Sequence, residues 1–131
     1  CLYPMDSSQR ELFSNTANKL PFSAAVAYQG LVFISGMVGR NPDTGEIALG
    51  DPAAQTRQAL QNAARALELA GTSLDKALKV TLFVTDMGFF SQVNEAYAPF
   101  FPEGLPARTC VEVSALPDRD ALVEVELIAG R

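Results

Sequence analysis

The amino-acid sequence predicts an α+β fold in which two helices lie on one face of a mixed β-sheet. Two segments have the apolar spacing of amphipathic helices, one after Asp51 and one after Asp86. The segments around them alternate between apolar and polar residues, as β-strands do, and they lie at 22–36, 78–85, 107–113 and 122–129. The predicted order is β-β-(β)-α-β-α-β-β, which allows both helices to cover the same side of one sheet.

Length and composition indicate a single domain. The chain has 131 residues, of which 48% are hydrophobic and 19% are charged, so it can bury a core without metals or disulfides. Residues 1–17 are polar and lack a clear period, and we assign them to an N-terminal extension that is weakly ordered or docks through Leu12 and Phe13. The domain itself is assigned to residues 18–131.

The charge balance and the absence of targeting signals limit the partners. Ten Lys and Arg residues face fifteen Asp and Glu residues, and the net charge of −5 argues against a general nucleic-acid-binding surface. The sequence has no run of 18 apolar residues and no signal-peptide pattern. We therefore expect a cytoplasmic protein that contacts neither nucleic acid nor membrane.

The sequence contains no histidine and only two cysteines, Cys1 and Cys110. Histidine is the commonest general base and metal ligand, so its absence excludes Ser-His-Asp triads, Cys-His dyads and most zinc sites. Two cysteines without a CxxC motif do not make a disulfide framework. Any catalysis must use the remaining side chains, backbone groups and water, and we expect no metal or cofactor.

The first strands form a predicted hairpin. From Phe22 to Gly36 the pattern indicates two strands joined by a tight turn at Gln29-Gly30. Gly36 at its end permits close approach by a ligand or by another chain segment. The residues 41–45 (NPDTG) then predict a turn, and 46–49 could add a short strand.

Both predicted helices have clear start signals. Asp51 and Pro52 supply an N-cap and an N1 proline, and Gly71 follows the first helix at C′. Its solvent-facing residues are predicted to be Gln55, Arg57, Gln58, Gln61, Arg65 and Glu68. Asp86 can cap the second helix, which carries an aromatic stripe typical of core packing. The stripe consists of Phe89, Phe90, Val93, Ala96, Tyr97 and Phe100. Asn94 lies beside that stripe, where an exposed helix asparagine is usually only solvated.

The strand that begins after Pro106 has an apolar side and a chemical side. Ala107, Thr109, Val111 and Val113 alternate with Arg108, Cys110 and Glu112. Arg108 is either an ordinary surface arginine or a rigid fork suited to a carboxylate. We expect the helix-free sheet face to carry Arg108, Cys110, Glu112, Glu124 and Glu126 together with Phe83 and Ile128. A half-apolar face of this kind predicts cover by other subunits.

Several motifs in this order resemble the RidA/YjgF family of reactive-intermediate deaminases, once described as translation inhibitors. They are Ser35-Gly36, Asn62 and Gly71, Val93-Asn94-xx-Tyr97-xx-Phe100-Phe101, the stretch 106–113 (PARTCVEV) and Val123-Glu124-Val125-Glu126. The resemblance covers about residues 18 to 130, and its most specific part is 106–113. It implies a chorismate-mutase-like fold, a homotrimer and ligand clefts between neighbouring subunits.

The resemblance also implies residue roles in the hydrolysis of 2-imino acids to 2-keto acids and ammonia. The carboxylate-binding arginine falls on Arg108, the cysteine whose backbone carbonyl helps hold a water on Cys110, and the assisting carboxylate on Glu124. Glu126 stays an alternative to Glu124, because the turn before the last strand is one residue longer than usual. Further ligand-site positions fall on Ser35, Gly36, Asn94 and Phe22.

The chain departs from the family pattern at Phe22, where many members have tyrosine, and at Met37, where many have glutamine. The first departure removes a hydroxyl from the cleft and is consistent with a more apolar substrate. Two other classes of function remain: a carboxylate-binding regulator that uses the Arg108 cleft without turnover, and an RNA-directed inhibitor or nuclease. The acidic net charge and the absence of histidine argue against the RNA-directed inhibitor or nuclease.

Overall fold

The computed structural model describes residues 9–14 and 20–131. Cys1 and most of the predicted N-terminal extension lie outside these ranges. The described residues form seven strands, two α-helices and three short 3-10 turns. The strands are β1 (Glu11–Ser14), β2 (Ser23–Tyr28), β3 (Leu31–Ile34), β4 (Met37–Val38), β5 (Ala77–Val84), β6 (Ala107–Glu112) and β7 (Val123–Gly130). The helices are α1 (Pro52–Leu69) and α2 (Phe90–Tyr97), and the 3-10 turns lie at Leu74–Lys76, Met87–Phe89 and Ala98–Phe100.

All seven strands belong to one mixed sheet with the order β1-β2-β3-β7-β5-β6, and β4 also pairs with β7. The β5–β6 pair is parallel and every other pair is antiparallel. The sheet and the two helices confirm the predicted α+β architecture. The strand β1 lies within the segment assigned to the extension, and the domain boundary at residue 18 stays a prediction.

The hairpin and the first helix form where the sequence predicts them. Gln29 and Gly30 have φ angles of 49° and 81°, so both turn residues are in the left-handed region that a two-residue type I′ turn requires. The side chain of Asp51 accepts a hydrogen bond of 3.0 Å from the backbone N–H of Ala54 at the start of α1. Gly71 follows the helix with a φ of 84°.

The core lies between the helices and one face of the sheet. Leu60 and Leu67 of α1 and Val93 of α2 are fully buried together with apolar residues of the central strands. Those strand residues alternate along the chain, and they are Val32, Val80, Leu82, Val84, Val123 and Val125. Both helices therefore cover the same face, which we call the helix-covered face. The opposite face, called the open face below, has no helix on it among the described residues.

The structure corrects three predictions about local structure. The third strand is Met37–Val38 rather than 46–49, where the described chain forms only a single bridge between Arg40 and Ile47. Asp86 caps a 3-10 turn, accepting a 2.8 Å bond from the N–H of Gly88, and α2 begins only at Phe90.

The third correction concerns Gln55, which is fully buried rather than solvent-facing. Its side-chain amide donates to the carbonyls of Ala48 and Asp120 at 2.9 and 3.1 Å and accepts from the N–H of Leu122 at 2.7 Å. These bonds satisfy backbone groups of two loops that have no strand partner, which is why a polar residue is stable there. Gln55 thereby fixes the loop that leads into β7.

Candidate functional site

The edge strand β6 places Arg108 and Cys110 on the helix-covered face, which corrects the predicted assignment to the open face. Its parallel register pairs Arg108 with Val80 and Cys110 with Leu82, two residues that point into the core. Arg108 and Cys110 are half-buried, whereas Ala107, Thr109 and Val111 are exposed on the open face. The alternation along β6 predicted the period of two correctly but assigned Arg108 and Cys110 to the wrong face of the sheet. The reason is that the residues exposed on the open face are themselves largely small or apolar.

The guanidinium of Arg108 lies over two aromatic rings of α2. Its Cζ is 5.5 Å from the ring centroid of Phe90 and 4.9 Å from that of Tyr97. Among the described residues it forms no ion pair, and its side chain makes no hydrogen bond. The N–H groups of Arg108 are therefore free within the described chain to bind an anion.

Two polar side-chain atoms of α2, on the helix side that contacts this arginine, are buried without a hydrogen-bond partner among the described residues. They are Asn94 Oδ1 and the hydroxyl of Tyr97. Burial raises the pKa of Tyr97, although the nearby charge of Arg108 acts in the opposite direction, so the phenol stays protonated. Asn94 is thus half-buried rather than simply solvated, and an unpaired buried acceptor of this kind indicates a ligand or water.

Cys110 is a half-buried free thiol whose pKa is raised by burial, with a smaller opposing effect of Arg108. A thiol of this kind is a poor nucleophile at neutral pH. Its strand, β6, is at the end of the sheet order, so backbone groups on its outer edge have no strand partner within residues 9–14 and 20–131. Cys110 can therefore contribute a backbone group, rather than a thiolate, to the binding of a ligand, a water or a second chain.

Glu124 of β7 lies on the open face against the backbone of Gly36. A Cβ added at Gly36 would lie 2.8 Å from Cδ of Glu124, and closer still to its Oε2 atom, so the carboxylate occupies the space that glycine leaves. Burial raises the pKa of Glu124, and the negative charge of Glu126 raises it further. Glu126 is exposed. The two carboxylates thus differ in their surroundings, since Glu124 is half-buried against Gly36 and Glu126 is exposed.

The remaining predicted residues lie near the start of β2 and the end of β3. The Ser35 hydroxyl donates to the carbonyl of Ser23 at 2.6 Å, which holds it in place and leaves its oxygen able to accept another bond. Phe22 is half exposed. Met37, where glutamine is usual in the resembling family, packs partly buried against the core.

Arg108 and Glu124 point away from each other within one chain. They lie on opposite faces of the sheet, and β5 separates their strands, so their backbones are about 10 Å apart across the strands alone. A small substrate cannot contact both side chains of a single chain. Arg108 and Cys110 lie on the helix-covered face, whereas Ser35, Gly36 and Glu124 lie together at another place.

Comparison with known proteins identifies the family. A family model described as Endoribonuclease L-PSP matches residues 14–130. The chain belongs to the RidA/YjgF family. Its relatives in this family include the 2-iminobutanoate/2-iminopropanoate deaminase of Escherichia coli K12, which is 41% identical over 114 residues, covering 85% of this chain and 88% of that protein.

Solved structures of RidA/YjgF proteins have the same fold. A protein of the conserved Rid family from Yersinia pestis, YyfA, superposes with a TM-score of 0.87 at 42% identity, covering 94% of this chain and all of that one. The TdcF protein of E. coli with bound serine superposes with a TM-score of 0.84 at 35% identity, covering 92% and 98%. The resemblance seen in the sequence is thereby confirmed.

Two residues that contact Arg108 were not predicted as parts of the candidate site. The apolar spacing of α2 indicated that Phe90 and Tyr97 belong to an aromatic core stripe, whereas both rings contact the guanidinium of Arg108. The available signal was the spacing i, i+4, i+7 of Phe90, Asn94 and Tyr97, which places two rings and an amide on one helix face. Without the pairing of β6, nothing in the sequence indicated that Arg108 lies under that face.

In the described part of the chain, neither helix has the length and apolar character needed to cross a lipid bilayer.

Proposed function

We propose that this protein is a cofactor-independent deaminase that hydrolyses 2-imino acids to 2-keto acids and ammonia. The observation that carries the proposal is the half-buried guanidinium of Arg108, which has no acidic partner among the described residues and lies over the rings of Phe90 and Tyr97. The helix face that carries these rings also carries Asn94, whose side-chain oxygen is buried without a partner among the described residues. Such a guanidinium suits a monocarboxylate. The deaminase relative from E. coli and the serine-bound TdcF structure support a small substrate with a carboxylate and a neighbouring nitrogen.

The proposed active site lies between two copies of the chain. One copy supplies Arg108, Asn94 and the backbone of Cys110, and a neighbouring copy supplies Glu124 with Ser35, Gly36 and Phe22. The opposed orientation of Arg108 and Glu124 within a single chain supports this division.

We infer a chorismate-mutase-like homotrimer in which neighbouring copies cover the open faces. Those faces carry partly exposed apolar side chains, among them Phe33, Phe83, Val111 and Ile128. Light scattering is expected to give three times the chain mass of 14.0 kDa. A particle of one chain mass at micromolar concentration would exclude the shared site.

The chemistry needs only groups of this chain and one water. Arg108 holds the carboxylate of the imino acid, and water adds to the carbon of the C=N bond while Glu124 accepts a proton from it. That proton passes to the nitrogen, which completes the carbinolamine. Glu124 then moves the hydroxyl proton of the carbinolamine to the nitrogen, the C–N bond breaks to release ammonia, and the oxygen becomes the keto group. The raised pKa of Glu124 suits a carboxylate that must both take up and deliver a proton.

The substrate side chain is proposed to be small and apolar. Phe22 replaces the usual tyrosine of the family and presents a half-exposed ring without a hydroxyl. An aromatic surface of this kind favours an alkyl group over a polar one. A cytoplasmic location, suited to removing reactive imines where they form, is part of the same proposal.

The direct test is ammonia release from freshly generated 2-iminobutanoate and 2-iminopropanoate. We expect acceleration over buffer of about 10²- to 10⁴-fold, the usual range for positioned proton transfer, with one 2-keto acid formed per ammonia. Binding of 2-oxobutanoate without acceleration would instead make the protein a carboxylate-binding regulator. Because the family model is described as an endoribonuclease, incubation with RNA belongs in the same series, and we expect no cleavage.

A further inference from the structure

We propose that Phe90 and Tyr97 are positioning residues that hold the Arg108 guanidinium ready for a carboxylate, in place of the acidic side chain that usually orients an arginine. The proposal rests on the proposed function for the identity of the ligand. It adds a physical reason why this arginine can be oriented although no acidic side chain among the described residues pairs with it.

The two rings and Arg108 meet at one face of α2. Phe90 and Tyr97 are seven residues apart, two helical turns, and therefore project from the same side of the helix. The Cζ atom of Arg108 is 5.5 and 4.9 Å from their ring centroids, within the distance at which a cation is attracted to an aromatic face. Asn94 lies between them in sequence, four residues after Phe90.

The ring of Tyr97 is held in place by its packing in the core. Tyr97 is 4% exposed, and its ring lies 4.8 Å from that of Phe101, which is equally buried. The Tyr97 ring cannot swing away without opening the core. Phe90 is 40% exposed, so its ring can be replaced with little effect on packing.

Aromatic support leaves the binding edge of the guanidinium free. All five N–H donors of arginine lie in the plane of the group, whereas an aromatic ring contacts its face. An acidic partner would occupy the donors and would have to be displaced by the substrate. The contacts with the two rings restrict the side chain beforehand, so less conformational entropy is lost when the carboxylate binds.

The hydroxyl of Tyr97 is not required for this role. It is buried without a hydrogen-bond partner among the described residues, so removing it deletes an unsatisfied polar group rather than a bond. Tyr97→Phe keeps the ring and should keep the position of Arg108. Tyr97→Leu removes the ring and should release it.

The first experiment observes Arg108 without any ligand, by nuclear magnetic resonance of arginine-labelled protein. Ring currents should shift the side-chain protons of Arg108 upfield in the wild type and in Tyr97→Phe. The shift should shrink in Tyr97→Leu and Phe90→Leu. Phe13→Leu is the matched control, because it removes the ring 5.9 Å from Arg131 and should leave Arg108 unchanged. Unchanged Arg108 signals in both Tyr97→Leu and Phe90→Leu would overturn the proposal.

The second experiment separates positioning from a merely structural role. Removing either ring should raise KM, and the Kd for 2-oxobutanoate, by about 2- to 30-fold with little change in kcat, the range for one cation–π contact. In an Arg108→Lys background the same change should have a clearly smaller effect. Equal effects in both backgrounds would show that the rings act on stability alone and would contradict the proposal.

These two experiments also keep this proposal apart from the proposed function. If the ring-current shifts behave as expected but wild-type protein neither binds 2-oxobutanoate nor hydrolyses imines, the positioning stands and the deaminase fails. If hydrolysis is present while ring removal changes neither the shifts nor KM, the deaminase stands and the positioning fails. Phe90→Leu keeps the test decisive if Tyr97→Leu does not fold.

Discussion

On the helix-covered face of the sheet, Arg108 and Cys110 lie against side chains of α2 and of the core. On the open face, Glu124 lies against the backbone of Gly36, with Phe83 as its cross-strand neighbour and no covering element among the described residues. The first face is completed by the chain itself. The second carries apolar side chains that are left in water unless another copy covers them.

This difference supports the proposed division of the active site between two copies of the chain. Packing under a helix can orient a long, charged side chain such as Arg108, because aromatic rings restrict its rotamers. A short carboxylate on an open strand needs a close backbone approach instead, and Gly36 provides it. Joining the two requires that the open face of one copy meets the edge strand β6 of the next.

The largest effect is expected at the helix-covered face. Arg108→Ala should lower kcat/KM by about a hundredfold or more, because a hydrogen bond to a charged group contributes roughly 1.5–3 kcal/mol and the fork makes two. Arg108→Lys keeps the charge but loses the two-point geometry, so it should also be impaired.

Steady-state kinetics and the melting temperature of the same Arg108→Ala sample check this expectation. The side chain has no ion pair in the described chain, so the melting temperature should stay nearly unchanged. A destabilised but fully active variant would refute the carboxylate role.

At the open face, Gly36→Ala should displace the Glu124 carboxylate. The added Cβ meets the far end of a flexible side chain, so stability should change little while kcat/KM falls by about tenfold to a hundredfold, as for a misplacement of about 1 Å.

Gly39→Ala is the matched control for Gly36→Ala. There the added Cβ would lie 2.6 Å from the Cα atom of Gln55, a backbone atom that cannot move easily. Overpacking should cost about 1–3 kcal/mol and be visible in the melting temperature. If Gly36→Ala instead loses stability and keeps activity, the contact with Glu124 has no catalytic role.

A smaller effect is expected from Glu126→Gln. The negative charge of Glu126 helps to raise the pKa of Glu124, so its removal should lower that pKa. In the proposed mechanism Glu124 acts as a base only when ionised, so activity should be lost as the pH falls through its pKa. The acidic limb of the pH profile of kcat/KM should therefore move to lower pH.

Glu68→Gln, on the exposed side of α1, is the control and should leave the acidic limb in place. A limb that does not move with Glu126→Gln would indicate another base.

The smallest effect is expected from Cys110→Ala. The pKa of the thiol is raised by burial and the proposed role belongs to the backbone carbonyl, so activity should stay within about threefold of wild type. If alkylation and the alanine variant both abolish turnover in a folded protein, the thiol itself takes part.

Local signals in the sequence predicted the elements better than their orientation. The turn at Gln29-Gly30 and the N-cap at Asp51 depend on neighbouring residues only, and both are confirmed. Which face Arg108 occupies depends on the register between β5 and β6, a contact between distant segments. The alternation of β6 is nearly symmetric in hydrophobicity, because small and apolar residues alternate with a cysteine and a long amphipathic arginine.

Buried polar groups could not be predicted for a related reason. Gln55 has the same helical surroundings in sequence as Gln58 and Gln61, yet it alone of the three is fully buried, since two distant loops need its amide. The family resemblance identified the candidate site residues, but not that Arg108 and Glu124 diverge within one chain. That became visible only with the sheet order.

The central claim is that each active site combines Arg108 of one copy with Glu124 of another. Arg108→Ala and Glu124→Gln proteins, each inactive alone, are mixed in equal amounts, dissociated and reassembled. Random assembly should regain activity at about a quarter of the sites, where an intact arginine meets an intact carboxylate across an interface. Each variant taken through the same procedure alone should stay inactive. A mixture that forms hybrid assemblies, as shown by mass spectrometry, and yet remains inactive would contradict the shared site.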